Sequence, residues 1–334
     1  MRRMQRTGLG LLTLGLLVLA AGCGGEDSDG GSAGTASSAE TQAAAPAKLT
    51  VGVIPIAPVA PLYVGIEQGF FEEENLEIEP QFEEGGVNVV TAVIAGDFDA
   101  GFSNTLSLMT AASKGLPLKM ITHGVSGEKT KEDAWGALIV KKGGDIKSPQ
   151  DLVGKTVSVN TLHNVPHMVV MRSLEKAGVD PKSVKYLEVP FPDAVAAVEA
   201  GRVDAAWVVE PFVTIGRDTT EVLTTPYIDT APDLTVSTYF TSDKLIKEHP
   251  EQVAGFIRAM NKSLDYAAAN PEAVREIVGE YTEIKPQAAE AMALPVWHQD
   301  LNRPTMDLTV ELSTKYGFLD RDVDLDELIY EPGE

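Results

Sequence analysis

The chain has 334 residues, with 27 Lys and Arg against 49 Asp and Glu, a formal charge of −22 at pH 7. That balance argues against a nucleic-acid-binding protein, which needs basic stripes to meet phosphates. A single Cys rules out both an intramolecular disulfide and a Cys-based zinc site.

At the start, Arg2, Arg3 and Arg6 precede an apolar run from Gly8 to Ala21. The run falls short of the ~20 residues a membrane span needs and ends in small residues. Residues 1–22 therefore read as a secretory signal. The stretch Leu19-Ala20-Ala21-Gly22-Cys23 resembles a bacterial lipobox, although Ala20 stands where the most frequent form has Leu. That resemblance implies that Cys23 is acylated and becomes the mature N-terminus, tethered to the outer face of the cytoplasmic membrane. Residues 23–48 are rich in Gly, Ser, Ala and Thr and have almost nothing to bury, so they read as a flexible tether. Without the three signal arginines the mature chain is more acidic still, so lipid rather than surface charge does the anchoring.

From Leu49 onward short β-branched runs alternate with helical patterns. Strands are expected at Val51–Ile54, Leu76–Phe82, Ala100–Phe102, Leu118–Thr122, Ala137–Val140, Thr156–Val159, Ser183–Glu188, Ala205–Val209 and Thr235–Thr241. Helices are expected at Tyr63–Glu74, Val89–Ala95, Thr105–Lys114, Val165–Ala177, Asp193–Ala200, Pro250–Ala269, Pro271–Glu280 and Lys285–Trp297. Pro250 and Pro271 stand at helix starts, and Gly178 stops a helix. The pattern is α/β with mainly parallel sheets.

One unit occurs twice. The stretch from Val90 to Phe102 lines up with that from Val195 to Trp207, matching Gly96 with Gly201 and Asp99 with Asp204, and each copy closes on an aromatic residue. Each reads as a helix stopped by Gly, a tight turn and a buried strand. The turn after Val51–Ile54 offers Pro, Ala, Leu and Tyr, with no nucleophile, no paired carboxylates and no GxGxxG. Catalysis has no purchase there.

The stretches "APLYVGIEQGFFEEENLEIE", "VIAGDFDAGFSNTLSLMTAASKGLPLKMI", "LVGKTVSVNTLHNVPHMVVMRSLEKAGVD", "FPDAVAAVEAGRVDAAWVVEPF" and "YFTSDKLIKEHPEQVAGFIRAM" cover most of the chain after the tether. In their order and spacing they resemble the solute-binding proteins of bacterial ABC importers, with the type II periplasmic-binding-protein fold. The similarity is to the nitrate, sulfonate, taurine and thiamine-pyrimidine-precursor branch. The resemblance implies two α/β lobes with a ligand cleft between them: 49–138 plus 235–334 as lobe one, 139–234 as lobe two. The crossings would lie near Ala137–Lys142 and Thr235–Thr241. It also implies a monomer that partners ABC permease and ATPase subunits, takes a small-molecule ligand, and needs no cofactor, metal or catalytic residue.

Ligands in open α/β sheets bind beyond the carboxyl ends of the strands, which selects the candidate contacts. In lobe one these are Ile56, Ala57, Pro61 and Tyr63, together with Ser103, Asn104 and Thr105 at a helix start that suits an anion. Gly86 stands at another helix start. In lobe two Asn160, Thr161, His163 and Asn164 mirror the Ser103–Thr105 loop, and Trp207, Glu210 and Phe212 end the second copy of the repeat. His163 and His167 are four apart, but with no third ligand nearby they do not make a metal site. Asp320, Asp322, Asp324, Asp326 and Glu331 fit several EF-hand positions, yet Leu325 occupies the position where the turn demands Gly, so they read as a solvated acidic run.

Few cations fall near the expected cleft: Arg202 and Arg217 sit at its rim, so a ligand clamped by bidentate Arg is not indicated. The aromatic residues favour a small organic molecule with a planar part, of sulfonate, carboxylate or heterocyclic type. Two alternatives use the same fold: a ligand-sensing lipoprotein with no transport role, and a thiamine-pyrimidine synthase. Such synthases carry a Cys-rich motif and a His cluster, which this chain lacks.

Overall fold

A computed structural model describes residues 45–332 of the chain. In chain order the first elements are β1 (Ala47–Val53), α1 (Ala60–Glu67), β2 (Leu76–Phe82), α2 (Gly86–Ala95), β3 (Ala100–Asn104), α3 (Thr105–Ser113) and β4 (Leu118–Ser126). There follow β5 (Gly136–Lys141), β6 (Thr156–Val159), α4 (Val165–Lys176), β7 (Lys185–Glu188), α5 (Phe191–Glu199), β8 (Ala205–Val209), α6 (Phe212–Gly216), β9 (Thr220–Thr224), α7 (Pro226–Thr230) and β10 (Thr235–Ser242). Helices α8 (Asp243–Glu248), α9 (Pro250–Ala269), α10 (Pro271–Tyr281), α11 (Pro286–Ala289), α12 (Arg303–Tyr316) and α13 (Leu325–Leu328) complete it. The expected signal peptide, Cys23 and most of the tether lie outside the described residues. Ala47 and Lys48, expected in the tether, belong to β1.

Two five-stranded sheets share one plan. Their orders are β2-β1-β3-β10-β4 and β7-β6-β8-β5-β9. In the first, β1 runs parallel to β2 and β3, while β10 is antiparallel to β3 and β4. In the second, β6 runs parallel to β7 and β8, while β5 is antiparallel to β8 and β9. Each sheet is thus mainly parallel with a mixed centre, four strands running one way and a fifth reversed. In both, the reversed strand is the one made directly after the chain arrives from the other sheet.

That arrival corrects the expected crossings. Ala137–Lys141 and Thr235–Thr241 lie inside strands, and the chain passes between the sheets at 127–135 and 225–234. The two passages run side by side: Gly127 N donates to Leu234 O at 2.8 Å and Asp233 N to Glu128 O at 3.2 Å.

The sequence repeat is a structural one. The Asp99 carboxylate accepts from Thr50 N at 2.8 Å, and Asp204 accepts from Thr156 N at the same distance. Each Asp also donates its backbone N–H to the carbonyl of that same Thr. Gly96 and Gly201, at φ of 82° and 66°, adopt the left-handed conformation that ends the preceding helix. One Gly-stop, Asp-latch device therefore registers β3 on β1 and β8 on β6.

Other expectations shift. Lys285–Trp297 is helical only over Pro286–Ala289, because Pro295 cannot continue a helix and Val296 O instead accepts from Ser126 N at the end of β4. Strand β9 and helices α8 and α12 were not anticipated. In α12 a Thr-rich, weakly amphipathic run hides the period, although Pro304 and Gly317 mark its two ends. This helix bonds both halves. Thr305 Oγ1 accepts from Thr235 N, while Lys315 and Tyr316 reach Glu175 on α4 at 2.6 and 3.0 Å.

Candidate functional site

The loops at the carboxyl ends of β3 and β6 each lead into a helix whose first residue is preceded by Asn. Asn104 Oδ1 accepts from Ser107 N at 3.0 Å, and Asn164 Oδ1 from His167 N at 3.0 Å, both as N-caps. The two helix starts meet across the gap between the sheets, where Asn104 Oδ1 also accepts from Val165 N at 3.3 Å. Asn164 Nδ2 donates to Asn160 Oδ1 at 3.1 Å. Through the Val165 N–H the three asparagines thus form a chain of contacts from one half to the other.

Around this chain lies a cavity of about 30 Å³. Its polar lining consists of Asn104, Asn160, Asn164, Tyr227 and Ser237. Its apolar walls include Ile56 and Phe102 from the first half, Phe191 and Val209 from the second, and Trp135 from the first passage. It shares the walls Ile54, Ile56 and Phe191 with a second cavity of about 390 Å³, also lined by Phe82, Glu83, Glu84 and Asp193.

Of the candidate contacts, Ile56, Asn104, Asn160 and Asn164 line this cavity. The remainder do not. Ala57 is buried and gives its N–H to Glu210 O at 2.9 Å, and Pro61 is buried within α1. Tyr63 stacks on Tyr281 with ring centroids 4.2 Å apart. Gly86 presses on Ser103, where a Cβ would stand 2.4 Å from Ser103 Oγ. Ser103 is fully buried behind it, and Thr105 Oγ1 bonds back to Thr235 O at 3.3 Å.

In the other half, Thr161 and His163 line a separate outer groove of about 970 Å³. There the His163 ring lies 4.8 Å from that of Phe318. Trp207 is buried behind Tyr227, ring centroids 4.8 Å apart, and Phe212 stacks on Phe191 at 6.3 Å. The sequence reading missed Trp135 and Tyr227 because they sit on the passages between the sheets. No period marks such segments, although a Trp in an otherwise polar stretch was a usable signal.

Glu210 is buried and braced rather than ligand-facing. It accepts from Thr214 N at 3.0 Å, Thr214 Oγ1 at 2.9 Å and Ala293 N at 3.3 Å. Burial nonetheless pushes its carboxyl up to about 7. Glu128, on the first passage, is likewise pushed up to about 7 by burial, and its Oε1 accepts from Ile228 N on the second passage at 3.2 Å.

Nearby, Ser126 Oγ lies 3.1 Å from both His123 Nε2 and His298 Nε2, and Asp233 Oδ1 lies 3.0 Å from His298 Nε2. Serine and aspartate both meet the same ring nitrogen, whereas a nucleophilic triad needs them on opposite ones. Ser126 is also fully buried. The cluster is a brace where the chain leaves β4. Among the described residues no group of three or more His, Cys, Asp or Glu is placed to hold a metal ion.

The family model described as NMT1/THI5 like matches residues 57–274. Among characterised proteins, the taurine-binding periplasmic protein of Escherichia coli is 26% identical over 204 residues, 61% of this chain; the chain spans about three fifths of that relative, likewise 61%. A 4-amino-5-hydroxymethyl-2-methylpyrimidine phosphate synthase of Candida albicans is 24% identical over 250 residues, covering 68% of this chain and 67% of the synthase. Among solved structures, the alkanesulfonate-binding protein SsuA of Xanthomonas axonopodis pv. citri, bound to MOPS, superposes with a TM-score of 0.73 at 19% identity. That match covers 86% of this chain and 99% of the other.

Proposed function

The chain belongs to the NMT1/THI5 like family, and from that premise we propose that it is an extracytoplasmic solute-binding lipoprotein. It captures a small organic molecule of sulfonate, carboxylate or heterocyclic type between two lobes and hands it to the permease and ATPase of an ABC importer. The observation that carries this reading is the cavity whose walls come from both sheets and from the first passage between them.

At about 30 Å³ that cavity holds little more than a water. An organic ligand therefore enters only if the halves part and then close on it. The passages at 127–135 and 225–234 supply the hinge, and a ligand bonded to both walls favours the closed state. The lipid on Cys23 holds the protein at the outer face of the membrane. Capture and release then need no covalent step.

Two experiments test the reading. Native mass spectrometry of the purified protein should find a stoichiometric small molecule, released on unfolding. Cys23→Ala should move the protein from membrane to medium. The Candida albicans relative keeps the synthase reading alive; conversion of the captured molecule by the isolated protein would favour it. A ligand sensor would instead bind the same molecule and leave its uptake unchanged when deleted.

A further inference from the structure

Resting on the binding reading above, we infer that the molecule admitted to this cavity carries no charge, and that the anionic members of the proposed class are refused. The inner cavity has five polar side chains, three amides and two hydroxyls, and no Lys, Arg or His. A carboxylate or sulfonate in such a site gives up its hydration without meeting a counter-charge.

The start of α4 does not supply one while the halves are closed, because the protein's own groups occupy it. Val165 N and Ser107 N both donate to Asn104 Oδ1, at 3.3 and 3.0 Å, and His167 N to Asn164 Oδ1 at 3.0 Å. Position 166 is Pro and has no N–H, and Met168 N bonds to Asn164 O at 3.0 Å. With the halves closed, the first turn of α4 has no N–H left for an anion.

The adjoining cavity works against an anion too. Glu83, Glu84 and Asp193 line it, and among the described residues none of its walls is cationic, so an anion nearby meets repulsion. A cation fares better there, but no carboxylate lines the inner cavity.

What the cavity does offer is neutral and undirected by charge. Tyr227, 1% exposed, brings a phenolic hydroxyl to the cavity lining. Ser237, 4% exposed, brings a second hydroxyl. Phe102, Trp135 and Phe191 supply flat apolar wall. An uncharged molecule with one apolar face and an amide, hydroxyl or ring nitrogen to engage Tyr227 fits this set.

The test uses pairs matched in shape and differing in charge, namely nicotinamide against nicotinate and benzamide against benzenesulfonate, with taurine and nitrate alongside. Binding is read by calorimetry and thermal shift at pH 7.5. The neutral member of a pair should bind at least tenfold tighter than its anion. Tyr227→Phe should weaken the neutral member about tenfold, leave the anion unchanged, and keep the unfolding temperature of the unliganded protein. An anion that binds as tightly as its neutral partner overturns the charge rule while leaving the binding reading intact. Silence from every compound overturns the binding reading, and the charge rule with it.

Discussion

Asn104 Oδ1 accepts the backbone N–H of Val165 at 3.3 Å, so an N-cap in one half of the molecule also caps the first helix of the other. Asn104→Ala removes both bonds. Loss of the cap costs about 1 kcal/mol, read as a lower midpoint in urea. Loss of the cross-gap bond should also widen the population of open forms, seen as a larger radius of gyration by X-ray scattering. Asn104→Asp places a negative charge between two helix starts, worth about 0.3–2 kcal/mol, and should compact the protein instead. Scattering profiles identical to wild type for both variants would show that the bond does not hold the halves together.

Tyr63 and Tyr281 stack at 4.2 Å, and Tyr281 OH donates to Ile56 O at 3.1 Å. Tyr63 therefore supports the cavity wall from behind. Tyr63→Ala is expected to cost about 2–4 kcal/mol of stability from lost apolar burial and ring contact, with ligand affinity changed severalfold at most. A tenfold loss of affinity at unchanged stability would place Tyr63 on the ligand after all.

Gly86 has no room for a side chain, since an added Cβ meets both the hydroxyl and, at 3.3 Å, the backbone of Ser103. Gly86→Ala must displace that buried neighbour, at about 1–3 kcal/mol. Pairing it with Ser103→Gly should recover much of the loss, a coupling that a double-mutant cycle measures. Strict additivity of the two changes would refute the contact.

Burial raises Glu128 and Glu210 from 4.5 to about 7. A carboxyl that holds its proton more tightly when folded contributes stability fully below the unfolded value, and that contribution is lost as pH rises through about 7. His123 and His167, lowered by burial from 6.5 to about 3, act the other way. Their contribution is full above 6.5 and is lost as pH falls. Between 4.5 and 6.5 the two effects offset, and from 6.5 to about 7.5 only the carboxyls act, so stability should decline there. Glu128→Gln mimics the protonated form. It should leave stability at pH 4.5 unchanged and raise it at pH 8 by up to ~3 kcal/mol. A difference from wild type that does not vary with pH would count against a buried, titrating Glu128.

Much of this architecture was readable from residues alone. The α/β alternation and the repeat ending in Asp99 and Asp204 depend on near neighbours along the chain: a Gly that alone takes the left-handed turn comfortably, and a carboxylate that latches the adjacent strand. Asn104 and Asn164 were chosen as residues beside helix starts, an equally local reading, and both line the cavity. What the chain could not disclose was direction across space. Whether Tyr63 faces ligand or Tyr281, whether Trp207 lines the cavity or stands behind Tyr227, and that Trp135 and Tyr227 arrive on the passages between sheets were settled only by tertiary packing, within each half as well as between them. Packing between the halves also put Asn104, from the start of α3, against Val165 N at the start of α4. Local conformation follows from each residue's own steric and hydrogen-bonding limits. The lining of a gap depends on contacts between residues far apart in the chain, such as Asn104 with Val165, and no short-range pattern encodes those.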